Sequence, residues 1–152
     1  MTTATMTEPT LTFEPISHRY FLGERELIAV STALKEANLC PAYGSTDAAV
    51  RGQYVHAACC LLDEDDLDLS TLDQALGGYV KAYVRFKQER GFVPTASEQM
   101  VYHLLLGFAG TLDRLGILSG HHALLDLKTG SEARWHSLQT AAYALCVETE
   151  ID

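Results

Sequence analysis

Two acidic residues and a lysine in the C-terminal half of the chain have the types and spacing of a metal-dependent hydrolytic site. Asp113 follows the apolar run 104–109 and Asp126 follows the run 123–125, so each carboxylate is expected at the end of a strand. Neighbouring strands that end in carboxylates form a pocket of hard oxygen donors suited to Mg²⁺ or Mn²⁺. Lys128 is expected on the same face as Asp126, because side-chain direction in a strand repeats every second residue. An acid and an ammonium group beside a bound metal are parts for hydrolysing a phosphodiester.

The order of the short motifs around these residues carries a resemblance to a known family. Gly110–Asp113, Asp126–Lys128 and Gln139–Tyr143 resemble the GxxD, (D/E)xK and QxxxY motifs of the PD-(D/E)XK nuclease superfamily, in its RecB/Cas4-like branch. Upstream, Arg51–His56 is similar to that branch's Gly-x-x-x-His helix, and Ser97-Glu98 fits the acidic residue that opens its first core strand. The resemblance covers most of the chain, since its N-terminal part also resembles that of phage-type members at His18–Tyr20, Gly23 and Val30–Leu34.

The resemblance implies four metal ligands. Asp113, Asp126 and the main-chain carbonyl of Leu127 would supply oxygen atoms, and His56 would add a nitrogen. A nitrogen ligand favours Mn²⁺ without excluding Mg²⁺, so one or two ions of either metal are expected.

Three further residues are implied in catalysis and one in DNA contact. Lys128 would orient or help to deprotonate the attacking water, or stabilise charge that develops on the phosphorane. Glu98 would hold a second metal or a water molecule. Gln139 and Tyr143 lie four residues apart and so share one helical face, where Gln139 would bond near the active site and Tyr143 would reach the DNA backbone.

Most of these side chains also have a purely structural interpretation. His56 lies between Val55 and Ala57, as a core histidine on an apolar helix face would. Lys128 equally fits an exposed strand lysine paired with Asp126, Glu98 fits a surface acid, and Tyr143 fits a residue of the core. The adjacent pair His121-His122 is interpreted as loop residues, because neighbours in a turn between strands point apart.

The cations that could contact DNA are spread along the chain. Lys81 and Arg85 share one face of the third predicted helix, and Arg51 lies in the helix of His56. More often such a stripe is the solvated side of an amphipathic helix. Further candidates are Lys87, Arg90, Arg114 and Arg134.

Composition bounds the function classes. A chain of 152 residues is long enough for one core. Its net charge of −9 argues against a general nucleic-acid coat, because phosphate binding is mainly cationic. The charge does not exclude a nuclease, since part of it belongs to a predicted solvated loop at 63–68 and bound metal ions supply positive charge locally.

The four cysteines do not form a C-x-x-C pair, and Cys59, Cys60 and Cys146 lie in apolar helices as buried thiols would. Some members of the branch hold an iron–sulfur cluster through one cysteine before the His helix and three after the QxxxY helix. Cys40 matches the first position, but no cysteine follows Cys146. An iron–sulfur cluster is therefore not expected.

The predicted fold is an α/β domain with a restriction-endonuclease-like core at 13–152, after a disordered leader at 1–12. A mixed sheet of about three strands (98–106, 110–118 and 123–128) is flanked by helices, the last at about 134–147. An N-terminal hairpin at 13–30 and a helical segment (33–38, 48–62 and 70–90) precede it. Gly91 is expected to end the helix at 70–90.

The leading functional hypothesis is a metal-dependent deoxyribonuclease, an exonuclease of phage DNA processing or recombination. Two competing hypotheses are an inactive nuclease-fold module that binds nucleic acid or a protein, and a hydrolase of another phosphate. Only Glu148–Asp152 follow the last helix, so the family's terminal strand is not expected within this sequence. Three alternatives stay open: a naturally minimal member, a sequence that is cut short, or self-association or a partner protein that covers the open sheet edge. With no apolar run of membrane-spanning length and a polar Met1–Thr10, the chain is expected in the cytoplasm of a bacterial or phage-infected cell.

Overall fold

One mixed sheet of six strands, flanked by four helices, forms the protein in a computed structural model that describes residues 9–41 and 46–148. The elements in chain order are β1 (Leu11–Glu14), β2 (Arg19–Leu22), β3 (Arg25–Ala29), α1 (Val30–Glu36), α2 (Thr46–Asp63), α3 (Gln74–Arg90), β4 (Phe92–His103), β5 (Phe108–Leu118), β6 (His121–Leu125) and α4 (Arg134–Glu148). This architecture confirms the predicted α/β fold of the restriction-endonuclease-like kind.

The central strand is β5. It pairs antiparallel with β4 along its whole length, and antiparallel with β6 from Arg114 to Leu118. Its other contact is parallel, with β3, through the pairs Ile28–Phe108 and Ala29–Ala109. The prediction of about three strands was wrong because this parallel contact joins β1, β2 and β3 to the same sheet. The N-terminal hairpin is therefore a three-stranded unit, and β1 begins at Leu11, inside the segment predicted as a leader, whose residues 1–8 lie outside the described ranges.

The strands of the second half begin earlier along the chain than predicted. β4 runs from Phe92 to His103, and residues 104–107 form the turn into β5 with Gly107 at a φ of +74°. Asp113 therefore lies within β5 and not at the end of a strand. His121 and His122 open β6 opposite Leu118 and Ile117, so their interpretation as loop residues was wrong.

The bounds of α3 show how local sequence ends a helix. The Asp73 side chain accepts a hydrogen bond of 2.8 Å from the main-chain nitrogen of Ala75, which caps the first turn. Gly91 follows the last turn at a φ of +64°, the left-handed conformation that glycine adopts without a steric penalty. Gly91 thus ends α3 as predicted.

Three apolar clusters pack the elements together. The first joins α1, β4, β5 and α4 around Val101, Leu112 and Cys146; the second lies within the N-terminal strands and Ala109; the third joins α2 to α3 through Val55, Cys59 and Tyr83. The side chains of Cys59 and Cys146 are buried as predicted, whereas Cys60 is partly exposed. Within the described part of the chain, no helix has both the length and the apolar composition needed to span a bilayer.

Close packing of α4 on β5 requires a glycine at position 110. A Cβ atom there would lie 3.2 Å from Cζ and Oη of Tyr143 and closer still to Cε1, and the Tyr143 ring is buried. We expect Gly110→Ala to lower the free energy of unfolding by about 2 kcal/mol, because overpacking of a filled core forces neighbouring groups apart. Urea unfolding measures the change.

The matched control is Gly78→Ala in α3, where an added Cβ would meet no atom within 4 Å. This variant should be as stable as the wild type or slightly more stable, because alanine favours a helix over glycine. Equal stability of the Gly110→Ala protein and the wild type would contradict the packing argument.

Candidate metal centre and catalytic residues

Side chains from three elements bring possible metal donors together. His56 from α2, Glu98 from β4 and Asp113 from β5 each offer one donor atom, and these atoms lie within 4.8 Å of one another. Nδ1 of His56 is 3.3 Å from Oδ1 of Asp113 and 3.9 Å from Oε1 of Glu98. The Asp113 side chain is almost fully buried, whereas those of His56 and Glu98 are partly exposed. The group therefore opens to solvent on the side of His56 and Glu98.

The main-chain nitrogen and carbonyl of Leu127 connect this group to the (D/E)xK segment. Its main-chain nitrogen donates a hydrogen bond to Oδ2 of Asp113, and its carbonyl oxygen lies 2.9 Å from Nε2 of His56. Asp126 and Lys128 flank this peptide, so the backbone fixes both beside the group. The carbonyl of Leu127, predicted as a ligand, thus touches the predicted ligand His56.

The contacts of His56 favour its protonated form in the metal-free protein. Burial lowers the pKa of His56, but the hydrogen bond and charge of Asp113, with the charge of Glu98 and the bond to Leu127, raise it above its ordinary value overall. The carbonyl of Leu127 can only accept a hydrogen bond, so Nε2 carries a proton. A second proton on Nδ1 would face Asp113, and His56 is then a cation between two acceptors.

Asp126 forms an ion pair with Lys128 and lies outside the group of His56, Glu98 and Asp113. Nζ of Lys128 lies 2.7 Å from Oδ2 of Asp126, whose side chain is almost fully buried. Burial raises the pKa of Asp126; Lys128 opposes the shift and the charge of Asp113 adds to it. The two residues meet as predicted, but not on one face of a strand, because β6 ends at Leu125. Glu98, and not Asp126, completes the group with His56 and Asp113.

A chain of hydrogen bonds runs from Lys128 into α4. Nζ of Lys128 donates to Oε1 of Gln139 at 3.1 Å, and Nε2 of Gln139 donates to the hydroxyl of Tyr143 at 3.0 Å. The ammonium group also lies 5.4 Å from the ring centroid of Trp135, within the range of a cation–π contact. The Gln139 side chain therefore links Lys128 to Tyr143.

The residues predicted to contact DNA differ in their exposure to solvent. Tyr143 is 4% exposed within the first apolar cluster, which matches its structural interpretation rather than a contact with DNA. Lys81 and Arg85 are exposed on α3, with Arg85 paired to Glu89 at 2.7 Å. Arg51 is partly buried, with its guanidinium 6.0 Å from the ring of Tyr79.

Two of the further candidates pair with Asp63 instead. Arg114 has no exposed side-chain surface, and Nζ of Lys87 is 2.6 Å from Oδ1 of Asp63. Asp63 was predicted in a solvated loop, but it ends α2 and its carboxylate is buried. A DNA contact by Arg114 was therefore a wrong prediction, and Arg114 and Asp63 are buried charges that sequence reasoning missed. The one available signal was a cation in the middle of the apolar run 112–118.

The donor set fits a divalent ion of the Mg²⁺ or Mn²⁺ kind. Two ligands at right angles about such an ion, each about 2.1 Å away, lie about 3 Å apart. The distance between Nδ1 of His56 and Oδ1 of Asp113, 3.3 Å, is close to this spacing. Carboxylate and carbonyl oxygens with one imidazole suit these metals better than thiolate-binding ones.

Comparison with known proteins gives one match. The sequence profile of the PD-(D/E)XK nuclease superfamily matches residues 62–151, which include Glu98, Asp113, Asp126, Lys128 and Gln139. His56 lies upstream of the matched range. No curated protein and no solved structure shows significant similarity to the chain.

Proposed function

The chain belongs to the PD-(D/E)XK nuclease superfamily, and on this premise we propose that it is a metal-dependent deoxyribonuclease that hydrolyses phosphodiester bonds in DNA. The observation that carries the proposal is the position of the Leu127 peptide. It contacts both Asp113 and His56 and places the Asp126–Lys128 ion pair beside them. Two residues of the candidate metal group thus contact the short stretch of backbone that also carries a charged amine.

The residues that would hold the ion are His56, Glu98 and Asp113, with Asp126 and the carbonyl of Leu127, which border this group, as further oxygen donors. A bound divalent ion supplies Lewis-acid polarisation of the phosphoryl group and lowers the pKa of water. Glu98 and Asp113 supply the negative charge that attracts the ion. Burial of Asp113 excludes water from one side of the group, which strengthens its electrostatic interactions.

Lys128 would act on the attacking water or on charge in the transition state. Its ammonium group is held by Asp126 and Gln139, so it is fixed before substrate arrives. A preorganised cation stabilises developing negative charge without reorganisation during the reaction. Gln139 contributes by holding Lys128 in place and does not itself need to contact the phosphate.

An exonuclease of phage DNA processing or recombination, in the RecB/Cas4-like branch, is the specific form that we propose. The motif order supports it, together with the glycine four residues before His56. Lys81 is an exposed cation available to a DNA backbone, and Arg85 lies on the same face of α3 in an exposed pair with Glu89. With a net charge of −9, DNA binding would depend on the metal and on a few local cations.

A partner protein or a second copy of the chain is part of this proposal. Among the described strands, β4 and β6 each pair with β5 alone, so each keeps an outer edge available for pairing. Such an addition would extend the sheet and could keep the enzyme on the end of a strand. A cytoplasmic location in a bacterial or phage-infected cell fits this role.

The test is cleavage of DNA with and without metal. End-labelled linear duplex DNA should be degraded in the presence of Mn²⁺ or Mg²⁺ and should stay intact with EDTA. Covalently closed circular DNA should resist cleavage, because an exonuclease needs an end. Cleavage of circular DNA would contradict the proposed exonuclease activity and indicate an endonuclease.

Intact linear and circular DNA under all metal conditions would contradict the proposal. Binding of that DNA without cleavage would instead favour the second candidate, an inactive module that binds nucleic acid.

A further inference from the structure

Arg114 is a buried cation at the centre of the fold, directly after Asp113 in β5. Its side chain has no exposed surface, and its guanidinium lies 5.8 Å from the ring centroid of Tyr83 in α3. A buried guanidinium is stable only when its N–H groups find acceptors. The acceptors of Arg114 identify what it holds.

Three of those acceptors belong to the three residues of the candidate metal group. Nη1 of Arg114 donates to Oε1 of Glu98 at 3.0 Å and to the main-chain carbonyl of Asp113. Nη2 donates to the main-chain carbonyl of His56 at 3.2 Å. One planar guanidinium group thus contacts the helix and the two strands that carry the donors.

Asp63 anchors the guanidinium from the opposite side. Its Oδ2 accepts from Nε of Arg114 at 2.7 Å and from the hydroxyl of Tyr83 at 2.8 Å, while Oδ1 pairs with Lys87 at 2.6 Å. These bonds leave the Arg114 side chain little freedom to turn. A fixed guanidinium fixes its acceptors, and one of them is the donor oxygen of Glu98.

We propose that Arg114, anchored by Asp63, is a positioning residue that sets the geometry of His56, Glu98 and Asp113 for a divalent cation. The inference rests on the proposed function, since it concerns the same metal group. Arg114 acts only through the three donors. Partners of this kind orient metal ligands, and their loss typically weakens metal binding or activity by about 10- to 100-fold.

A positioning role and a purely electrostatic role of Arg114 predict opposite effects on the affinity for the metal. A guanidinium beside the group repels a divalent cation, so as a charge alone Arg114 would weaken metal binding and its removal would tighten it. As a positioning group it would strengthen binding through geometry. Arg114→Lys separates the two effects, because lysine keeps the charge but cannot make the same planar set of bonds.

The experiment is calorimetric titration of Mn²⁺ into the wild type, Arg114→Lys and Lys87→Met, after thermal unfolding has shown that each protein is folded. We expect Arg114→Lys to weaken Mn²⁺ binding about 10-fold or more. Lys87→Met is the matched control. It removes a cation from the same Asp63 network but contacts none of the three donors, so it should lower the melting temperature and leave the affinity unchanged.

Equal affinities of the wild type and Arg114→Lys would overturn the inference, and so would an equal loss in Lys87→Met, because the effect would then follow stability alone. Should Arg114→Lys not fold, Asp63→Asn is the second variant. It keeps Arg114 but removes the anion that fixes it, and wild-type affinity in that protein would also overturn the inference.

The titration does not depend on cleavage of DNA. A wild type that binds Mn²⁺ but leaves DNA intact contradicts the proposed function, while the comparison of variants still tests Arg114. A wild type that cleaves DNA, with an Arg114→Lys variant of equal affinity, contradicts only the positioning role. A wild type that binds no Mn²⁺ contradicts both.

Discussion

Asp113→Asn is expected to abolish Mn²⁺ binding in a calorimetric titration and to reduce DNA cleavage by about 10³-fold or more. The metal supplies several kcal/mol of transition-state stabilisation, and each step of about 1.4 kcal/mol corresponds to a factor of ten in rate. Asp113 is the most buried of the grouped donors and contacts both His56 and the peptide of Leu127. An asparagine keeps the size of the side chain and an acceptor for the Leu127 nitrogen.

The fold should survive this change, because the substitution also removes repulsion between Asp113 and the buried carboxylate of Asp126. Asp66→Asn is the matched control, since Asp66 is an exposed acid and its substitution changes the net charge equally. That control should bind and cleave like the wild type. Unchanged Mn²⁺ affinity in a folded Asp113→Asn protein would remove Asp113 from the site.

Lys128→Met should reduce the cleavage rate by about 10²-fold or more while Mn²⁺ still binds. This is the scale of losing one group that stabilises charge in a transition state. Methionine keeps the unbranched stem near Trp135 but removes the ammonium group that contacts Asp126 and Gln139. Single-turnover cleavage at saturating Mn²⁺ measures the chemical step, and calorimetry measures the metal.

Lys35→Met, at an exposed lysine in α1, is the control and should cleave at the wild-type rate. Two results would contradict the role of Lys128. Wild-type cleavage by Lys128→Met would make it a structural partner of Asp126. A loss of cleavage that higher Mn²⁺ concentration restores would place its effect on metal binding and not on chemistry.

The sequence was most informative where local chemistry decides the structure. Gly91 ends α3 because its left-handed conformation favours glycine, and α4 begins at Arg134 as predicted. The contact of Lys128 with Asp126 was predictable because only one residue separates them. It was predicted for the wrong reason, since the segment lies beyond the end of β6.

Contacts between distant residues were the part that the sequence alone could not provide. Glu98 fitted equally well as a surface acid and as a site residue, and only the register of β4 on β5 brings it to Arg114 and His56. Asp63 lies in an acidic run that is typical of a solvated loop. Its partners Lys87 and Arg114 come 24 and 51 residues later, and no local pattern indicates such pairs.

The parallel pairing of β3 with β5 also has a consequence for how the chain emerges from the ribosome. It consists of two residue pairs, and its halves are about eighty residues apart. Synthesis proceeds at about 5–20 residues per second, so the N-terminal strands spend several seconds without their partner. The finished sheet buries Tyr20, Leu22 and Leu27. During that time only the short N-terminal strands themselves can shield these side chains from water. Closing a loop of this length costs conformational entropy before any contact between β3 and β5 forms. We therefore expect β4, β5 and β6 to pair first and β3 to join them last.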